Sequence, residues 1–335
     1  MLQKNLNKRT SPERFILNQV EGSRRIVCLG GGKVVPKAVL EGLKKYLVKI
    51  SVISAMLDSG GSAGRERELF KTKVAFGDIR RAALALSEAP QEKKELFAHR
   101  FEDGTVLANA YCTATALAYG AEELSEDLKE DLKIAQQHQI LPATLDNATL
   151  CAQLENEEII RGETNIDIPK HDSNLRIKKV FLEPQAKAYP PALKAIQEAD
   201  LIVVGPGDLY SSLSQILLID GFTKSINKSR AKKVYLCNLM TKRGETNNFS
   251  VLDFTFEIER YLGGPVDYVI FHNKKPSPNR MKIYKKEHPE LLEQVRFYDS
   301  LDKEKFIGVD LLTEKGPIIH DSNKVAKVLL KLCKQ

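Results

Sequence analysis

A chain of 335 residues, 42% hydrophobic and 28% charged, is long enough to bury a full core as one large α/β domain with an insertion or as two domains. Five scattered cysteines without a C-x-x-C pair argue against a disulfide scaffold and read as reduced core residues of a cytosolic protein. Of the net charge of +7, residues 1–25 and 322–335 carry +4 each, which leaves −1 on residues 26–321 and argues against a basic stripe for nucleic acid on the body.

Residues 1–22 lack periodicity and are expected to form a mobile basic extension, ahead of a single domain at 23–335 with an insertion at about 90–185. Nothing before Met56 resembles a signal peptide, and residues 26–29 are too few apolar residues for an h-region or a membrane span, so a cytoplasmic protein with no membrane partner is expected. Residues 25–29 read as strand one. Gly30-Gly31-Gly32-Lys33 follows at once, and Pro36 suits the first turn of a helix with Val39, Leu40, Leu43 and Leu47 on its apolar face. This is phosphate-loop text, but Val35 replaces the third glycine of G-x-G-x-x-G and Val34 follows Lys33 where a Walker A loop needs Ser or Thr.

Residues 50–57 read as strand two. The loop behind it, Asp58-Ser59-Gly60-Gly61-Ser62-Ala63-Gly64-Arg65, sets three glycines, two hydroxyls, a carboxylate and a guanidinium at a strand end. Such a loop can wrap a phosphate with backbone N–H groups and the Arg65 fork. Gly77-Asp78-Ile79-Arg80-Arg81 opens a helix in which Asp78 serves either as an N-cap or as a site residue, and Arg80 either as a surface charge or as a site residue. Residues 91–137 are helical, and 138–184 read as a small β excursion. Pro190 starts a helix leading to residues 201–204, Leu-Ile-Val-Val, which are apolar at every position and so suit a central parallel strand covered on both faces.

Gly205-Pro206-Gly207 then turns the chain, and Asp208, Ser211 and Ser212 supply helix-start chemistry. Backbone N–H groups at such a turn suit a phosphate, although a capped helix without a ligand has the same text. A helix over 212–228, a strand at 233–237, a polar loop at 238–246, a helix at 250–261 and a strand at 267–271 complete a β-α-β-α-β series. Residues 295–298 are strand-like. A final amphipathic helix carries Val325, Val328, Leu329 and Leu332, and exposed apolar surface on it would favour a homodimer. The fold class expected is a doubly wound, Rossmann-like α/β sheet, mostly parallel, with a helical and small β insertion.

Together these loops resemble the CofD-like family, which includes 2-phospho-L-lactate transferases and a gluconeogenesis-factor (YvcK) branch that binds UDP-sugars. The branch reads G-G-G-T-G, D-D-G-G-S-S-G-R, G-D-I-R, G-E-S-x-I, G-P-G-S-L-Y-T-S and N-x-M-T-Q-x-G-E-T. The counterparts here are residues 30–32, 58–65, 77–80, 162–166, 205–212 and 238–246. Tyr284 fits the branch's late tyrosine. The departures are Lys33-Val34 for Thr-Gly, Ser59 for the second Asp, Asn109 and Thr113 for the His and Asn of G-H-x-x-G-N, and Ile319 ahead of His320-Asp321 for the Arg of R-H-D.

The resemblance implies a regulatory protein that binds a UDP-sugar or another nucleotide diphosphate and is linked to central carbon metabolism and cell-envelope or cell-shape control. The ligand's pyrophosphate would lie among Gly30, Gly31, Gly32, Lys33, Asp58, Gly60, Gly61, Ser62, Gly64, Arg65, Gly205, Gly207, Asp208, Tyr210, Ser211 and Ser212. Asp78 and Arg80 would join them, with Asn238, Thr241 and Tyr284 shaping the adjoining pocket. The alternative is a transferase moving a phospho-acid group from a nucleotide diphosphate to a hydroxyl, with Asp58 as base or Mg²⁺ ligand. Ser59 leaves one carboxylate fewer for Mg²⁺, so that ion is an optional cofactor and no metal site is assigned. The six histidines show no metal-binding spacing, and the failed glycine fingerprint argues against an NAD-dependent oxidoreductase.

Overall fold

The computed structural model describes residues 23–334, so the expected basic extension lies outside the described residues. The chain runs through β1 (Arg24–Leu29), β2 (Val48–Ser54) and β3 (Gln139–Pro142), then β4 (Thr149–Leu154), β5 (Ile159–Arg161) and β6 (Ile177–Glu183). It continues through β7 (Leu201–Val204), β8 (Lys232–Leu236), β9 (Met240–Lys242), β10 (Tyr268–His272), β11 (Leu291–Gln294) and β12 (Phe306–Val309). Seven of these strands form one sheet in the order β12-β10-β8-β7-β1-β2-β3, with every neighbouring pair parallel. The expected doubly wound α/β class is the observed one.

The apolar runs explain the layering. Along β1 and β7, Val27, Leu29, Ile202 and Val204 enter one core while Ile26, Cys28, Leu201 and Val203 enter the other, so both faces need helices. Gly77–Leu86, Leu107–Tyr119, Ala121–Asp131 and Ser322–Leu332 cover one face; Pro190–Gln197, Phe222–Lys228 and Val251–Leu262 cover the other. Strands β2 and β3 lie to one side of β1, and β7, β8, β10 and β12 to the other. The order therefore reverses between β1 and β7, and a crevice opens beyond their carboxyl ends.

Several elements differ from expectation. Residues 139–142 belong to the edge of the main sheet, and the β excursion is the antiparallel sheet β5-β4-β6. The helix expected over 212–228 is broken: a π-helical turn at Leu209–Ser214 and a short Gln215–Leu217 stop at Gly221, whose φ of +104° starts Phe222–Lys228 afresh. Residues 295–298 are not a strand. Instead β11 pairs with β9, which lies inside the expected polar loop, and β12 ends the main sheet. Ser322–Leu332 buries Val325, Ala326, Leu329, Leu330 and Leu332, so the apolar surface behind the homodimer expectation faces the core. All five cysteines are free and buried. Among the described residues no helix is long and apolar enough to cross a membrane.

Candidate functional site

The crevice between β1 and β7 holds a cleft of about 310 Å³, within the usual size range of small-molecule sites. Gly31, Gly32, Lys33 and Val34 line it from the end of β1, Ala55 and Asp58 from the end of β2, and Gly207, Asp208, Ser211, Ser212 and Gln215 from the end of β7. Asp78 and Arg81 enter from the helix Gly77–Leu86, Glu163 and Asp167 from the short helix Glu163–Asp167. Ser212 Oγ is buried without a hydrogen-bond partner and so remains available as a donor.

The first glycine turn is clasped from below. Asp78 Oδ2 accepts the Gly32 N–H at 2.8 Å, and Asp78 Oδ1 pairs with Arg81 at 2.5 Å. The carboxylate passes so close to Gly31 that an added Cβ there would lie 1.9 Å from Oδ2. Asp78 is thus neither a simple N-cap nor a free ligand group: it fixes the turn and is neutralised by Arg81.

The second glycine loop is shorter than expected because residues Gly61–Leu69 are helical. Gly64 lies inside that helix, where it lets the turn pack on the Ser59 backbone. Ser59 Oγ accepts the Thr164 N–H at 3.0 Å, and the Ser59 N–H reaches Glu163 Oε2 at 3.3 Å. This lock brings Glu163 to Asp58, and the two carboxyls share a hydrogen bond. Burial, then Asp78, push Asp58 up to about 6 against the pull of Arg81. Burial, then the Asp58 and Asp167 charges, push Glu163 up to about 9. Near neutrality Glu163 keeps its proton and donates it to an ionised Asp58.

That pair has a pH signature. Both folded-state values lie above the ordinary 3.8 and 4.5, so the pair's stabilisation is complete at acid pH below those values and is lost as pH rises through about 6 and then about 9. Glu163→Gln cannot ionise. Its melting temperature should gain on the wild type as pH rises from 5 to 9, by on the order of a few °C; thermal melts across that range check this.

The turn after β7 is held by the half-buried Asn238 and the buried Lys242. Asn238 Oδ1 accepts the Gly207 N–H at 3.1 Å, and Asn238 Nδ2 donates to Gly207 O at 2.8 Å. Lys242 Nζ lies among Asp208 Oδ2 at 3.2 Å, Glu245 Oε1 at 2.9 Å and, closer still, Asp167 Oδ1. Burial disfavours its ammonium, but Glu245, Asp208 and Asp167 outweigh that and hold its pKa above the usual lysine range. Burial pushes Asp208 up, with Glu245 and Asp167 adding to it and Lys242 opposing it. Its side chain still keeps 40% of its surface open, and beside Lys242 we read it as ionised. Glu245 Oε2 accepts the Tyr210 N–H, and Oε1 accepts from Ser211 Oγ, each at 3.3 Å. Gln215 ties this turn to the segment after β2 by accepting the Leu57 N–H at 3.2 Å.

Of the residues expected at the site, Gly31, Gly32, Lys33, Asp58, Asp78, Gly207, Asp208, Ser211 and Ser212 line the cleft. Gly30 and Gly205 shape the turns at φ +153° and +77°, and Gly60 and Ser62 pack on Thr164 and Asn109. Gly61, also at positive φ, starts the helix. Arg65 lies on the exposed side of its helix against Gly104, and Arg80 is held near Arg81, Arg100 and Glu66; neither lines the cleft. Tyr210 is buried on Glu257, Thr241 bonds Glu293 across the β9–β11 pair, and Tyr284 sits in a small apolar cluster with Leu239 and Met240. The cleft's cations are therefore Lys33 and Arg81. Arg81, Glu163, Asp167, Lys242 and Glu245 were not among the expected site residues. Glu163 and Glu245 stood inside motifs already singled out, whereas Asp167 gave no signal because its partner Lys242 is 75 positions away.

A family model described as "2-phospho-L-lactate transferase CofD" matches residues 26–312. A gluconeogenesis factor of Listeria innocua is 35% identical over 326 residues, covering 93% of this chain and 96% of that one. A gluconeogenesis factor of Bacillus subtilis is 32% identical, covering 94% and 100%. The crystal structure of a Bacillus halodurans protein superposes with a TM-score of 0.84 at 32% identity, over 92% of this chain and all of that one. The chain belongs to the CofD family, among relatives described as gluconeogenesis factors.

Proposed function

We propose that the cleft binds the diphosphate of a nucleotide-linked ligand, a UDP-sugar first, and that the protein is a cytoplasmic regulator. On this reading ligand occupancy is reported to central carbon metabolism and cell-envelope control. The observation that carries the reading is the meeting of two glycine turns, from β1 and β7, where the strand order reverses. The acidic lining is offset in part by cations and a shared proton beside it, and a divalent cation accompanying the diphosphate would supply the rest. Asp78 faces Arg81, Asp167 and Asp208 face Lys242, and Glu163 holds a proton against Asp58. Lys33, the Ser212 hydroxyl and turn N–H groups then meet the phosphates.

Asp58 is the ionised oxygen donor that would hold Mg²⁺ beside the diphosphate, with Glu163 joining it on giving up its proton, and the ion would neutralise phosphate charge. Calorimetric titration with UDP-N-acetylglucosamine, with and without Mg²⁺, tests the proposal while the same mixture is assayed for nucleotide release. Saturable binding without products is expected. Release of nucleoside monophosphate would turn the reading to phospho-acid transfer, and no binding of any nucleotide diphosphate would end it. Arg65→Ala should leave affinity within about twofold, whereas Arg81→Ala should weaken it by on the order of tenfold through the freed Asp78 charge.

A further inference from the structure

Lys242 is the most enclosed cation of the site, with 11% of its side chain exposed, and its three N–H donors meet three carboxylates. Those carboxylates come from separate elements: Asp167 from the helix Glu163–Asp167, Asp208 from the turn after β7, and Glu245 from the segment after β9. Two of them, Asp167 and Asp208, line the cleft. Glu245 also anchors the Tyr210 N–H and the Ser211 hydroxyl, so the ammonium governs how the turn after β7 is presented. Oxygens of the three acids lie within 4.8 Å of one another, the spacing of a divalent-cation site, and the ammonium stands among them.

We infer that Lys242 is a positioning residue that serves the cleft as a tethered counter-cation, standing where a metal ion would otherwise close this wall. A covalently attached cation cannot dissociate and needs no ionic supply, so the turn after β7 stays assembled at any metal concentration. Its role in presenting that turn to a diphosphate rests on the function proposed above; its exclusion of metal does not.

Mn²⁺ alone is the first probe, counted by equilibrium dialysis on the full-length protein. Lys242→Gln should bind one more equivalent than the wild type, and Lys242→Gln combined with Asp167→Asn should lose it. In the wild-type background Asp167→Asn should leave Mn²⁺ stoichiometry unchanged. A folded Lys242→Gln protein with wild-type stoichiometry overturns the inference. So does loss of Mn²⁺ on Asp167→Asn alone, a comparison that still decides if Lys242→Gln does not fold. Pyrophosphate is the second probe. Its affinity should fall roughly tenfold in metal-free Lys242→Gln and recover with Mn²⁺, a rescue that a merely structural lysine would not allow. Wild-type protein that binds no pyrophosphate would defeat the diphosphate reading, while the Mn²⁺ comparison would still judge Lys242.

Discussion

Gly31→Ala should cost the protein both stability and ligand. The new Cβ would meet Asp78 Oδ2 at 1.9 Å and the Ala55 Cβ at 3.1 Å. Asp78 cannot simply swing aside, because one oxygen holds the Gly32 N–H and the other holds Arg81. Displacing it breaks both contacts and leaves a largely buried carboxylate without its partner, at a cost on the order of 2–4 kcal/mol. A fall in melting temperature of several °C and a loss of diphosphate affinity of on the order of a hundredfold are expected. Gly32→Ala is the control. Its φ of +66° imposes strain of about 1 kcal/mol, but nothing lies within 4 Å of the added carbon. Equal effects of the two substitutions would refute the Asp78 clasp.

Gly64→Ala should invert the usual sign for a helix. An interior glycine replaced by alanine ordinarily stabilises a helix by about 1 kcal/mol. Here the added Cβ would lie 2.3 Å from the Ser59 carbonyl carbon and 2.4 Å from its oxygen, backbone atoms with little room to yield. The helix Gly61–Leu69 would be forced off Ser59, and Ser59 off Thr164 and Glu163. A net loss on the order of 2–3 kcal/mol in denaturant unfolding is expected, together with a lowered Glu163 pKa as its contact with Asp58 loosens. A gain in stability would show that the loop is free to move.

The fold was largely legible because its signals are local. All-apolar Leu201–Val204 and the glycine turns after β1 and β7 mark central strands and sharp βα connections without knowledge of any partner. The edges were less so. Residues 140–144 alternate like a strand, but nothing local says that they pair with β2 rather than with the β excursion, and β12 is interrupted by Gly308, whose missing side chain makes room for the Phe271 ring. At the site, the motifs gave the turns but not the roles. Arg65 read as a phosphate ligand because it followed the glycines, yet helix formation from Gly61 carries it to the outer side. Lys242 stands where the resembling pattern has Gln, but its three acids converge only in the folded chain.

The central claim is that the crevice between β1 and β7 holds a diphosphate. A crystal structure of the protein soaked with UDP tests it most directly. The account predicts phosphate density within hydrogen-bond reach of the Lys33 ammonium and the Ser212 hydroxyl, with the Asn238 clasp on Gly207 intact. Phosphates bound against Arg65 and the outer face of Gly61–Leu69, with the crevice left to water, would contradict it.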